Sequence, residues 1–386
     1  MEKNHGCNHR RMRRINRTEV LRSLHLKGPM SRVELAQLLQ LDAKTVTNLT
    51  RELLEQNVVE ETGIASQGRG RPRQMLRVRS GDLLAAAVQL EEGKVVGAIV
   101  NLDGGVLHRN SAALSGKESQ RELLRKIRTV ARSLLRRGQA RLPGLGFTFP
   151  GVFDPDRRIV LQCHRLPAWE GVQLDKVFGG VFEGRVSIES NTRTEALGEQ
   201  WFGTAKEWSD FLLVSIGEGI GCVLVDQGRL QVGASRIAGE IGHTIIDPKG
   251  APCSCGRRGC LETVASLKAI RAGLTPPKGV KQVGVGRIAD LLASGDPAAL
   301  AAMETAADAL GLALANFVHV MNPQHLLITG EAVGMGPLFT AALEASLKRY
   351  VVPLFHRHLH LSTGRLGEDA ALLGSAALVL ESFFNA

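Results

Sequence analysis

The sequence predicts an α/β protein of two lobes preceded by an amino-terminal winged helix-turn-helix, and three observations carry that expectation. Apolar strands alternate with helical stretches from residue 82 to the end, the first eighty residues are basic and helix-rich, and three of the six cysteines fall between positions 253 and 260. Alternating strands and helices indicate an α/β region. The 386 residues, 44% of them hydrophobic, suffice for two or three domains. The change of pattern places the boundary between residues 1–80 and 81–386.

The segment NRTEVLRSLHLKGPMSRVELAQLLQLDAKTVTNLTRELLEQNVVEETG divides into three helices, broken at Gly28-Pro29 and at Gln40 to Asp42. Ser31 and Glu34 have the spacing of a capping box. Asp42 is placed to cap the third helix, where Val46, Leu49 and Leu53 follow the i, i+3, i+7 spacing of a buried face. The other face offers Lys44, Thr47, Asn48 and Arg51, with Thr45 beside them in the first turn. Short donors and acceptors on one exposed face suit the major groove, where base edges present distinct hydrogen-bonding patterns.

Residues 57–61 and 74–78 read as two strands around the tip SQGRGRPR, which makes a wing. Arg69, Arg71 and Arg73 alternate there with Gly70 and Pro72, spacers that let a backbone lie close to DNA while arginines enter a narrow groove or hold phosphates. Residues 1–80 hold 16 Lys or Arg against 8 Asp or Glu, so they carry most of the chain's net charge of +10, an electrostatic footprint for a polyanion. A helical oligomerisation module, or a flexible linker in place of the wing, explains each part alone. Basic charge and wing together favour double-stranded DNA. The leader MEKNHGCNHRRMRRIN reads as a basic arm, without regular structure or laid along DNA phosphates. It lacks the apolar stretch of a signal peptide, and no later run approaches the ~20 apolar residues of a membrane span. The expectation is a cytoplasmic protein without membrane insertion.

Beyond residue 82 the strands read from LLAAAVQL, KVVGAIVNLDGGVL, GLGFTFPGVFD, RVSIES, FLLVSIGEGIGCVLVDQG and HLLITGEAVG, and ALVLESFFNA closes the chain as an amphipathic helix. Gly-rich turns such as GEGIG are weak evidence for a phosphate site, because tight turns use them more often. Six cysteines in a chain of this size suit a metal site plus the reduced thiols Cys7, Cys163 and Cys222 better than a disulfide framework. Zinc takes four N or S ligands, so Cys253, Cys255 and Cys260 need a fourth. Three reduced core cysteines are the plainer alternative. Gly256 and Gly259 favour a knuckle by supplying its turns. A DNA-reading finger is disfavoured, because Cys253-Ser254-Cys255 is too tight and no His pair follows.

The stretch AGEIGHTIIDPKGAPCSCGRRGCLETVAS, preceded by SIGEGIGCVLVDQG, resembles the signature of the ROK family, which groups sugar kinases with sugar-responsive repressors, and the resemblance covers roughly residues 83–380. It implies a two-lobed actin-like ATPase or sugar-kinase-type fold, with a structural zinc on His243, Cys253, Cys255 and Cys260. It also implies sugar contacts at Asn191, Glu240, His243 and Glu262. The helix-turn-helix, which ROK kinases lack, selects the regulator branch, the xylose and N-acetylglucosamine repressors among them.

Against the kinases of that family, three phosphate loops are altered. Asp-x-Gly-Gly-Thr falls on Gln89-Leu90-Glu91-Glu92-Gly93, Glu218 stands between Gly217 and Gly219, and Gly-Gly becomes Gly330-Glu331. Each carboxylate disfavours a triphosphate by about 1 kcal/mol or more where poorly solvated. The family's general-base Asp aligns with Asn191, or with Thr192 after a slip of one residue; neither takes up the proton of a sugar hydroxyl, yet the amide still hydrogen-bonds one. The expectation is therefore a catalytically inactive ROK domain in a homodimeric repressor, released from a two-fold operator by a sugar. A ROK-type kinase fused to a DNA-binding domain, and a ligand-independent zinc-stabilised regulator, are the competing readings.

Overall fold

The computed structural model describes residues 5–65, 73–79, 83–137, 142–276 and 283–384. Three helices open the chain, α1 (His5–Lys27), α2 (Arg32–Leu39) and α3 (Ala43–Glu55). Their ends follow from local chemistry. Gly28 takes φ 85° after α1, and Ser31 and Glu34 close a reciprocal capping box, the Ser31 N–H donating to the Glu34 carboxylate at 2.7 Å. Gln40 in the left-handed region ends α2, and the Asp42 carboxylate accepts the Thr45 N–H at 2.8 Å to start α3. Three short antiparallel strands complete the unit, β1 (Met30–Ser31), β2 (Val59–Ala65) and β3 (Arg73–Val78), in the order β1-β3-β2. The tip between β2 and β3, with Arg69 and Arg71, lies outside the described residues.

The leader departs from expectation, because from His5 onward it is the first half of α1. Arginine is a good helix former, and Arg13 reaches Glu52 of α3 at 2.7 Å, which ties the extension to its own unit.

The first lobe is a five-stranded sheet flanked by a hairpin. Its chain order runs β4 (Leu84–Leu90), β5 (Lys94–Asn101), β6 (Val106–Ala113), α4 (Gln120–Arg137), β7 (Leu145–Phe149), the hairpin β8 (Val152–Asp154) and β9 (Ile159–Gln162), then β10 (Val186–Ser190) and α5 (Asn191–Phe202). The sheet order is β10-β7-β4-β5-β6. The second lobe holds β11 (Phe211–Ile216), β12 (Ile220–Asp226), β13 (Arg229–Leu230), the helices α6 (Glu262–Ala265), α7 (Leu267–Ala272), α8 (Val285–Ala293) and α9 (Pro297–Met321), β14 (His325–Thr329), α10 (Pro337–Tyr350), α11 (Pro353–His356) and β15 (His360–Thr363). Its sheet order is β13-β12-β11-β14-β15. The last helix, α12 (Ala370–Phe384), returns to the first lobe.

Alternate residues of β4 and β5 face opposite ways, as the pleat requires. Ala86, Val88, Val95 and Ile99 meet Leu123, Ile127 and Leu134 of α4, whereas Ala85, Ala87, Val96 and Ala98 meet Leu372, Ala376 and Leu380 of α12. The closing helix is thus buried on most sides rather than amphipathic: eleven of its fifteen residues are buried. Glycines make room for it, since a Cβ at Gly146 would collide with the Ser375 carbonyl and one at Gly198 with that of Ala370.

One apolar stretch overturns the expectation that nothing reaches a membrane span, because α9 is long and apolar enough by length and composition. Its buried residues, Met303, Leu310 and Leu314 among them, instead pack in the second lobe with Leu212, Ile328 and Leu343. The apolar core is also continuous across the boundary at residue 80, because Val20, Leu24, Leu35 and Val46 share a cluster with Trp201, Phe202, Leu380 and Phe384.

Candidate functional site

A 3-10 turn, Ile241–His243, and a tight loop build the cysteine cluster. Isolated bridges pair Ile245 with Cys260 and Pro252 with Arg258. Gly256 and Gly259 adopt φ 86° and 67°, and a side chain at Gly259 would strike the Asp247 carbonyl. One ligand atom from each of His243, Cys253, Cys255 and Cys260 lies within 4.8 Å of the others. Cys255 Sγ is 3.7 Å from Cys260 Sγ, and Cys253 Sγ is 3.6 Å from His243 Nδ1. A tetrahedral metal with sulfur bonds of about 2.3 Å needs S–S edges of about 3.8 Å. The donor set therefore fits a metal ion of that kind. Hydrogen bonds from Arg257, its backbone first, hold the Cys255 thiol below its ordinary pKa, which favours the thiolate a metal requires.

Because Nδ1 of His243 faces Cys253, its Nε2 faces the other way, 3.9 Å from the Glu240 carboxylate. Glu262 opens α6 two residues after Cys260, and its carboxylate accepts the Ile220 N–H at 3.2 Å. Gly219 packs close beside it, where a Cβ would lie 2.8 Å from that same oxygen. Glu240 sits in a recess still open to solvent; burial raises its pKa, and Glu262 adds to the rise against His243. Glu240, His243 and Glu262 thus share one cleft. Asn191 stands at the first turn of α5, accepting from the Thr148 hydroxyl at 2.8 Å and donating to the Leu90 carbonyl at 3.4 Å. Its neighbour Thr192 lies against Gly221 of β12.

The ROK family profile matches residues 85–382. The chain belongs to the ROK family. The putative xylose repressor of Caldicellulosiruptor sp. (strain Rt8B.4) is 29% identical over 97% of this chain and 97% of its own. The glucokinase of Thermotoga maritima is 30% identical over 73% of this chain and 93% of its own. A solved ROK family transcriptional regulator, described as a homologue of E. coli Mlc, superposes with a TM-score of 0.81 at 28% identity, covering 97% of each chain.

Within the ROK domain the structure adds residues that sequence reasoning missed. Arg193 and Glu189 form a buried pair at 3.1 Å, and Arg193 donates at 2.7 Å to the Arg236 carbonyl, fastening the loop that carries Glu240 to α5. His164 and Arg165, from the loop after β9, reach the same cleft. His164 bears electrostatically on Glu240, and an Arg165 nitrogen lies 3.5 Å from where a Cβ on Gly219 would be. No motif announced either side chain.

The opposite side of the cleft is filled by ion pairs. Glu218 contacts Arg271, whose side chain is only 10% exposed and also reaches Glu331 at 3.5 Å. Lys94 lies 3.4 Å from Glu91 and 3.1 Å from Glu368. Glu218 and Glu331 thus share the nearly buried Arg271, and Glu91 shares the partly exposed Lys94 with Glu368.

On α3, Lys44, Thr47, Asn48 and Arg51 are exposed, and Arg51 donates to the Asn48 side chain at 2.6 Å. Thr45 is half-buried with its hydroxyl on the Asp42 cap, and Arg73 is exposed at the start of β3. This unit joins the ROK domain through α1. His25 packs on Trp201 of α5 at 4.8 Å between ring centroids, Trp201 stacks on Phe384 at 5.5 Å, and Arg17 donates to the Phe384 carbonyl at 2.7 Å.

Proposed function

We propose that the chain is a sugar-responsive DNA-binding transcriptional regulator, a repressor whose residues 1–80 form a winged helix-turn-helix and whose residues 81–386 sense a sugar and dimerise. The observation that carries this reading is His243, which turns one ring nitrogen to the cysteine cluster and the other to Glu240. A site built this way orients a ligand contact. Relatives spanning nearly the whole chain support it: the repressor relative matches 97% of each chain, amino-terminal unit included.

His243, Cys253, Cys255 and Cys260 would hold a zinc ion, which when bound fixes the tautomer of His243 and closes the knuckle. Glu240 and Glu262 accept hydrogen bonds from adjacent hydroxyls, and Asn191 meets the sugar from α5. Lys44, Thr47, Asn48 and Arg51 address base edges and phosphates, with Thr45 holding the start of their helix and Arg69, Arg71 and Arg73 in the wing. The exposed apolar Val320, Met321, Val352 and Leu354 offer a surface to a second copy, which a two-fold operator requires. Such a regulator works in the cytoplasm, where its DNA is.

Helix α5 couples the two sites. Its first turn presents Asn191 to the cleft, its middle bonds the second lobe through Thr329 and Glu195 at 2.8 Å, and its last turn holds α1 through Trp201. A sugar that closes the lobes shifts α5, and with it the winged helix. A coupling of roughly 1–3 kcal/mol is expected. Operator gel shifts titrated with pentoses, hexoses, amino sugars and their phosphates test this, with one of them weakening binding about 5- to 150-fold. Operator affinity indifferent to every sugar would remove the inducer model. The kinase reading rests on the glucokinase relative, and sugar-dependent ATP consumption by the purified chain would restore it.

A further inference from the structure

Helix α4 carries arginines at 121, 125, 128, 132 and 136, a spacing of four, three, four and four that keeps all five on one side of the helix. The stripe runs about 22 Å. The opposite side of α4, through Leu123, Ile127 and Leu134, is buried against the sheet. Arg121, Arg125, Arg132 and Arg136 are exposed, and among the described residues none of the four has a side-chain hydrogen bond or an ion pair. Arg128 is held in place, donating to the Val177 and Lys176 carbonyls at 2.8 and 2.7 Å.

One nearby carboxylate, Glu122, offsets part of the charge through Arg125, which still leaves the stripe with a net excess of cations. Glu122 caps α4 by accepting from the Ser119 backbone and hydroxyl at 2.9 and 2.7 Å, and Glu118 binds Lys126 at 2.8 Å. Helix stability does not call for the stripe either. Arg121 lies in the first turn, where the helix dipole disfavours a cation. The other exposed positions between the arginines are Glu122 at the first turn, then Thr129 and Ser133. Guanidinium groups interleaved with hydroxyls, without an apolar or aromatic anchor among them, match a phosphate backbone better than a protein interface, whose centre needs such an anchor.

We propose that α4 is a second, sequence-independent contact surface for the DNA backbone. It rests on the DNA-binding reading above but lies on the face of the first sheet opposite α12 and the amino-terminal helices, so it holds a duplex segment other than the one under α3. A repressor with two such surfaces bridges DNA segments, or keeps hold of flanking DNA while α3 searches.

The test uses the full chain and fluorescence anisotropy on a duplex without operator, across a salt series. Replacing Arg125, Arg132 and Arg136 by Ala is expected to weaken non-operator binding at least about tenfold near 0.1 M salt. The same change should flatten the log–log salt dependence by about 2 to 3, with melting temperature and sugar-induced thermal shift unchanged. Lys at the same three positions should restore most of the salt slope. A second variant, Lys44→Ala with Asn48→Ala and Arg51→Ala, should lose operator preference and keep the non-operator binding. The proposal is overturned if the α4 variant leaves affinity and slope as they were, or if the α3 variant alone abolishes non-operator binding. It is equally overturned if the α4 variant loses binding only to polyglutamate or to anionic vesicles, which would assign the stripe to an acidic protein or a membrane. Wild-type chain that binds no DNA at all would instead count against the regulator reading.

Discussion

The two sides of the cleft treat their polar groups in opposite ways. Glu240, His243, Glu262 and Arg165 turn towards a shared opening, whereas Glu91, Glu218 and Glu331 turn onto Lys94 and Arg271. Acceptors that face an opening keep their lone pairs for a ligand's hydroxyls, while carboxylates paired with the nearly buried Arg271 already have a partner and resist an incoming phosphate. On the proposed reading, one fold therefore keeps a sugar side and closes off a nucleotide side. On this contrast, a change on the sugar side should alter ligand response, and a change on the nucleotide side should alter stability alone.

The largest effect is expected at the cysteine cluster. Chelation, or Cys260→Ser at a fully buried position, would remove the proposed zinc, whose binding contributes of order 10 kcal/mol in small zinc domains, and would free His243 from Cys253. Calorimetry should show sugar affinity falling at least about tenfold, together with a melting temperature lower by several degrees. Unchanged sugar binding in metal-free protein would separate the cluster from the cleft.

Next come two matched substitutions, one on each side. Glu262→Gln keeps the size but loses an acceptor oxygen and the charge, so sugar affinity should fall about 10- to 100-fold (roughly 1.5–3 kcal/mol) with melting little changed. Glu218→Gln leaves Arg271 short of its nearer partner, so melting should register a loss of about 2 kcal/mol with sugar affinity intact. If the two variants behave alike in both assays, the contrast between the sides is wrong.

Legibility followed the range of the interactions. Helix caps at Ser31 and Asp42, the apolar face of α3 and the cysteine spacing are local patterns, each legible within a short run of the sequence. Residues far apart in sequence were not legible. Arg193 finds Arg236, Gly198 makes way for Ala370, and Arg165 meets Gly219, through contacts that only the folded lobes create. The same limit explains the two misread ends: the leader extends α1 because Glu52 of α3 receives Arg13, and α12 is buried because two separate elements pack on it. Exposed arginines on α4 carried no motif, so their alignment emerged only from the buried side of that helix.

The smallest effect lies at the far end of α5, where the sugar side should be felt and the nucleotide side should not. His25 is held between Trp201, Phe202 and Phe384, and its Nε2 is buried without a partner. Burial first, then Lys206, lower its pKa against Asp103, to about 4. The unfolded chain, with an ordinary histidine near 6.5, binds the proton first. Stability from this contact is therefore complete above about pH 6.5 and is lost as the pH falls towards 4. Between pH 7 and pH 5.5 the loss is about 1 kcal/mol. His25→Phe keeps a ring against Trp201 and removes the titration, so denaturant melts should show a shallower acid loss by that amount. Sugar should still release the operator in the variant, since the packing between α1 and α5 remains. An acid loss identical in the two proteins would assign the pH dependence elsewhere, and failure of sugar to release the operator would show that the histidine itself, beyond its bulk, transmits the movement of α5.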